Sequence, residues 1–306
     1  MRSLAALLLG VAIGFSSLFA AEVETARAKV ESLVAAVKKN PSQVPNIAAL
    51  SQADEAEVVS LLDQHIDRAS GRVKRRLCSV LGTLGKRIQA PAVKQKVAGR
   101  LLKQFIEGDD VPQYYLSTAF LPRDVTAADK AAFTEYFYRK AWPERIHRAE
   151  ALLLFAALGL EDELPRLKKL FSATKWPAEG RSWNRTLKWT FRRVLARLGD
   201  KESIDYCLKK INDEQDLRRK AVAILDLDFL RTSAVIPCLR EALDSEEIVK
   251  EPHHRVPLAN YAAKSLSRLL DGFPRPESKY GVYAASDIAK CRKWMAEQTE
   301  WKFRNP

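Results

Sequence analysis

The sequence predicts an all-α protein, and more narrowly an α-solenoid of about six helical-hairpin repeats behind an irregular N-terminal helical cap. Three observations carry that prediction. Only 12 glycines and 14 prolines occur in 306 residues, and the prolines fall mostly between apolar-periodic runs, the pattern of helices joined by short turns. Three short segments, "PRLKKL" (165–170), "YCLKKI" (206–211) and "PCLREA" (237–242), repeat the same apolar and basic positions at spacings of 41 and 31 residues. Each follows a longer amphipathic segment: "RIHRAEALLLFAALG" (145–159), "RTLKWTFRRVLARLG" (185–199) and "LRRKAVAILDLDFL" (217–230). A two-helix unit of this kind cannot bury its apolar face alone, so neighbouring units must stack.

Taken in order, the chain opens with "MRSLAALLLGVAIGFSSLFAAEV", in which Arg2 precedes an uncharged apolar run from Leu4 to Phe19 and the small residues Ala20 and Ala21. That three-part pattern is a secretory signal peptide over residues 1–20 and predicts an exported protein, periplasmic or secreted. An uncleaved anchor is the rival reading, weakened by Gly10, Gly14, Ser16 and Ser17 within the run. No later run is apolar enough to span a bilayer. Residues 21–69 read as the helical cap: "AEVETARAKVESLVAAVKK" places Val23, Ala26, Val30, Leu33, Val34 and Val37 on one helical stripe. Ser51 with Asp54, and Thr126 with Asp129, resemble capping-box helix starts. Hairpins are then expected near 72–106, 112–141, 145–171, 185–211, 217–243 and 256–298, with longer joints at 172–183, 244–256 and 271–284. Segments 145–159, 185–199 and 72–85 all end in Leu-Gly, where Gly suits the left-handed C-cap conformation. The stretch 106–126 fits the repeat poorly and is the expected hinge.

Within this array, "RRKAVAILDLDFLRTSAVIPCLREALDSEE" (218–247) has a basic opening, a small-apolar first helix and a Pro-x-Leu-x-x-Ala-Leu second helix. It resembles a HEAT-type repeat of the sort also seen in phycobilin-lyase-like proteins, with the resemblance best over 145–270. What the resemblance implies is architecture: such repeats serve mostly as binding scaffolds and occasionally as enzymes.

Catalytic and metal chemistry find little support. Cys78, Cys207, Cys238 and Cys291 show no CxxC spacing. Cys207 and Cys238 occupy equivalent repeat positions, and helices ~8–10 Å apart are too far for a disulfide. Glu144-x-x-His147 has a metal-ligand spacing, but its echo, Glu251-x-x-His254, lies between Pro252 and Pro257. The repeated His-Glu dipeptides of HEAT-like di-iron hydroxylases are absent, as are hydrolase, P-loop and dinucleotide motifs. No catalytic, cofactor-binding or metal residue is therefore assigned. A solenoid enzyme or nucleic-acid-binding protein of DNA-glycosylase-like type, acting on a polyanion, stays open as the alternative function, because such folds need no short motif.

Charge is the informative feature. The chain carries 51 Lys and Arg against 38 acids, a formal charge of +13. Eleven basic residues and no acid lie between Arg68 and Lys103; ten basic residues and Glu179 alone lie between Arg166 and Arg197. On 72–85 the apolar stripe leaves Arg72, Arg75 and Arg76 as an outer ridge. On 185–199, Trp189 lies ~200° from Leu187 around a helix of ~3.6 residues per turn, grouped with Arg185, Arg192 and Arg193. Trp189 is then either an inter-repeat filler or an exposed stacking anchor. These seven residues are the candidate partner-binding set, and the two basic helices are expected to line one trough. The expected function is an exported non-enzymatic scaffold for an acidic protein surface or an anionic envelope polymer, with nucleic acid disfavoured by export.

Overall fold

The computed structural model describes residues 26–43, 45–48, 50, 53–108, 111–178, 183–251, 255–275 and 282–304. The leader at 1–20, Ser51, and His253 and His254 lie outside them. The fold is all-α, with one two-stranded antiparallel ribbon among the described residues. The chain divides into two compact units, with the boundary between His147 and Arg148. None of the described helices is long and apolar enough to cross a membrane.

The first unit contains α1 (26–39), α2 (Glu55–Arg68), α3 (Gly71–Gly85), α4 (Pro91–Ile106), α5 (Val111–Thr118) and α6 (Ala127–Tyr136). Ala26, Val30, Leu33, Val34 and Val37 of the expected stripe are all buried on α1. Asp54 caps α2 by accepting from the Glu57 N–H at 2.8 Å, and Thr126 caps α6 through the Asp129 N–H at 3.1 Å. Each satisfies a first-turn donor that the helix itself leaves free. Helices α2, α3 and α4 pack on one another, α5 seats on both α3 and α4, and α6 packs on α4. At the C-terminal end of α6 the chain continues as a π-helical turn, Phe137–Ala141.

In the stretch 106–126, expected as a hinge, the described residues hold α5, which packs on α3 and α4. Leu116 and Phe120 are buried, and two glycines of α3 make room for this segment. A Cβ on Gly82 would stand 2.2 Å from Cγ of Tyr115, and one on Gly85 would stand 2.4 Å from Cζ of Phe120. Gly85 is thus a packing glycine inside the helix, whereas Gly159 (φ 61°) and Gly199 (φ 98°) adopt the left-handed conformation after their helices.

The second unit contains α7 (Arg148–Ala157), α8 (Leu164–Ala173), α9 (Leu187–Arg197), α10 (Lys201–Asn212), α11 (Leu217–Leu225), α12 (Ile236–Asp244), α13 (Leu258–Leu269) and α14 (Ala285–Glu297). Every hairpin expected from the repeats has its two helices. Pro165 and Pro237 sit in the first turns of α8 and α12, where a missing N–H costs nothing. Thr186, Asp200 and Asp216 cap α9, α10 and α11. Helix α9 packs on α7, α8 and α10, α10 on α11, α11 on α13, and α12 on both α13 and α14. The joint 244–256 holds the ribbon, in which β1 (Ile248–Lys250) pairs with β2 (Arg255–Pro257) and buries Val249 and Val256. The C-terminal segment is tied back, with Arg304 Nε donating to the Leu270 carbonyl at 2.7 Å.

Candidate functional site

The face of α3 opposite its buried residues carries Arg72, Arg75, Arg76, Ser79, Thr83 and Lys86, because these positions fall on one side of a 3.6-residue turn. At its N-terminal end, Arg72, Arg75, Arg76 and Ser79 line an open groove of about 340 Å³ whose other wall is Pro41 and Ser42. Arg72 and Arg75 are exposed. Arg76 is half-buried and fixed, donating through Nε to the Pro41 carbonyl at 2.8 Å and through Nη2 to the Ser42 carbonyl at 3.0 Å. Those bonds set its guanidinium plane and leave Nη1 unused by them. Among the described residues the groove lining contains no carboxylate. The first turn of α3 holds no acid, and Ser70 makes no side-chain cap, so the helix dipole adds positive potential at the same end. The arrangement is suited to binding an anion.

The four candidates around α9 occupy a different setting. Arg185 is exposed on the 3-10 turn Trp183–Arg185. Trp189 is buried, edge-on to Trp183 at 4.6 Å, and donates its indole N–H to Asp226 Oδ2 at 3.0 Å. Arg192 lies over the rings of Phe171 and Tyr206, 4.4 and 4.8 Å from their centroids, and pairs with Glu202 at 3.0 Å. Arg193 lies over Trp189 and Phe229 and pairs with Asp226 at 2.8 Å. As partner-binding side chains, Trp189, Arg192 and Arg193 are therefore corrected: they join helices inside the second unit. A cation wedged between rings and matched by a carboxylate has its charge satisfied where it stands.

The acid-free runs of sequence are not acid-free in space. Lys74 meets Glu107, Arg100 meets Asp63 and Asp67, Lys94 meets Asp124, and Lys168 meets Asp200 at 2.7 Å. Several of these contacts recur at one separation: Lys74–Glu107, Arg100–Asp67, Lys168–Asp200 and Trp183–Glu214 lie 31 to 33 residues apart. Each of these contacts joins residues far apart in sequence, so no reading of neighbouring residues shows them.

Local electrostatics follow from these contacts. Burial pushes the Asp226 carboxyl above the usual range, against the pull of Arg193 and the Trp189 N–H. Burial likewise raises Asp228 despite Arg268. For Asp200, burial works upward, but hydrogen bonds from Lys168 and Ser203 outweigh it and hold the carboxyl below its ordinary value. Cys207, Cys238 and Cys291 are free thiols, and burial pushes Cys207 up to about 12 and Cys238 and Cys291 up to about 11. Such thiols are poor nucleophiles at neutral pH. His147 packs its ring against Phe105 at 6.2 Å. Among the described residues no group of three or more His, Cys, Asp or Glu side chains is placed to hold a metal ion. Compared with known protein families, curated proteins and solved structures, the chain matches none.

Proposed function

We propose that this protein is an exported, non-enzymatic binding scaffold, a HEAT-like solenoid whose basic surface on α3 holds an acidic protein surface or an anionic envelope polymer. The observation that carries this reading is the convergence of Arg72, Arg75 and Arg76 on one groove with no carboxylate among its described lining residues. Fixed guanidinium groups around a concavity focus positive potential and recognise carboxylate, sulfate or phosphate oxygens in paired geometry. The helix-on-helix packing of the second unit and the apolar leader support the scaffold and export parts of the reading.

The test is retention of the full chain on an acidic matrix over a salt gradient. The double variant Arg72→Ala with Arg75→Ala should elute at lower salt with its helical circular dichroism unchanged; elution at the wild-type position would remove the groove from the function. Export is checked by sequencing the N-terminus of the protein recovered outside the cytoplasm, which should begin at Ala21.

A further inference from the structure

The groove is one end of a longer feature. Lys86, exposed at the C-terminal end of α3, lies on the same helix face as Arg72 and Arg75, about 21 Å further along at ~1.5 Å per residue. Its ammonium sits 4.9 Å from the ring centre of Tyr114 and 5.7 Å from that of Tyr115. Tyr115 is seated on the bare backbone of Gly82, and Tyr114 stands edge-on to it at 5.2 Å. Tyr114 is 56% exposed, and beside it the only other exposed large hydrophobic among the described residues is Ile248. Between the two ends, Ser79 and Thr83 turn their hydroxyls back onto the Arg75 and Ser79 carbonyls. The stripe therefore runs from a triple-arginine groove, over small hydroxyl side chains, to a lysine and an open aromatic ring.

Resting on the scaffold reading above, we infer that this stripe holds a linear anionic polysaccharide, its acid groups on Arg72, Arg75, Arg76 and Lys86 and one sugar ring against Tyr114. Charge complementarity calls for a polyanion. A folded acidic protein is disfavoured because protein interfaces are built around an apolar centre, and the stripe has none. Single-stranded nucleic acid is disfavoured because its sites stack successive bases on successive rings, whereas among the described residues of the stripe Tyr114 alone is exposed and Tyr115 is half-buried. A sugar polymer needs one apolar ring face and a row of cations, and that is the composition of the stripe.

The experiment measures affinity of the full chain for a heparin disaccharide, a heparin decasaccharide, a thymidine oligonucleotide and a polyglutamate peptide. The decasaccharide should bind tightest, and Lys86→Ala and Tyr114→Ala should each weaken it about fivefold while leaving the disaccharide unchanged. Tyr114→Phe should retain decasaccharide binding, and circular dichroism should show every variant folded. Equal affinity for the two saccharides, or a Tyr114→Ala variant that binds the decasaccharide as wild type does, would falsify the polymer track. An oligonucleotide or polyglutamate that binds tightest would overturn the polysaccharide. If Arg72→Ala with Arg75→Ala changes no binding at all, the scaffold reading itself fails; if it weakens binding but Lys86 and Tyr114 do not matter, only the extended stripe does.

Discussion

Trp189 donates its indole N–H to Asp226 Oδ2 at 3.0 Å across 37 positions of sequence, and the same carboxylate takes Arg193 on its other oxygen at 2.8 Å. One acid at the end of α11 thus holds both the aromatic and the cationic side chain that α9 turns toward it. Removing the ring should cost about 3–5 kcal/mol of stability, as for other buried aromatic truncations. Trp189→Phe should cost about 1–2 kcal/mol, chiefly through the buried acceptor left without its donor. Urea unfolding measures both, and retention on an acidic matrix should be unaffected by Trp189→Phe.

Arginines that look alike in sequence should separate cleanly by experiment. Arg193→Ala strands a half-buried carboxylate and should lower stability by about 2–3 kcal/mol, between the values for exposed and buried pairs. Arg72→Ala should leave stability within about 0.5 kcal/mol and lower the salt needed for elution. A loss of stability in the second variant, or its absence in the first, contradicts the division between a binding face and an internal brace.

Asp200 gives the fold an acid-sensitive point. Its folded-state carboxyl is held below its unfolded value by Lys168 and Ser203, so its stabilisation is complete above the unfolded value, near pH 4, and is lost as pH falls through the folded one. Asp200→Asn keeps a capping oxygen for α10 but loses the charge. The variant should be less stable than wild type at pH 7, and the gap should close as the pH is lowered below about 4. A gap that stays constant with pH would remove the ion pair as its cause.

Gly82 and Gly85 should invert the ordinary ranking of helix formers. Alanine in a helix interior normally gains about 1 kcal/mol over glycine, but here its Cβ would meet Tyr115 or Phe120 at 2.2 or 2.4 Å. Gly82→Ala and Gly85→Ala are expected to destabilise by about 1–3 kcal/mol through overpacking, seen as lower melting temperatures. Gly82→Ala should also disturb Tyr114 and weaken decasaccharide binding.

The thiols should be silent in the native protein. Cys207 at about 12 and Cys238 at about 11 are almost wholly protonated at pH 8, so iodoacetamide should label them only after denaturation. Mass spectrometry of the native and unfolded protein distinguishes the two states.

The helices were legible in the sequence because they follow from local rules. Apolar spacing set the stripe of α1, Thr126 marked the start of α6, Pro237 opened α12, and the recurring segments marked α8, α10 and α12. The candidate site was legible in part. Arg72, Arg75 and Arg76 could be found from the helix wheel of α3, since they lie opposite a clear apolar face. Arg192 and Arg193 could not be sorted in the same way, because α9 is covered on several sides and a wheel shows only one. Tyr114 had no signal as an exposed ring: its neighbour Tyr115 is seated on α3, and the difference between them is decided by a glycine thirty-three positions earlier.

By itself the sequence determined the secondary structure, the hairpin spacing and the strong positive charge, all properties of neighbours a few residues apart. Tertiary structure decided which of those charges remain available to a partner. Charges attract through space regardless of chain order, and acids outside the acid-free runs pair with lysines and arginines within them. On α3, Arg72, Arg75 and Arg76 come together along one groove that includes no carboxylate among the described residues.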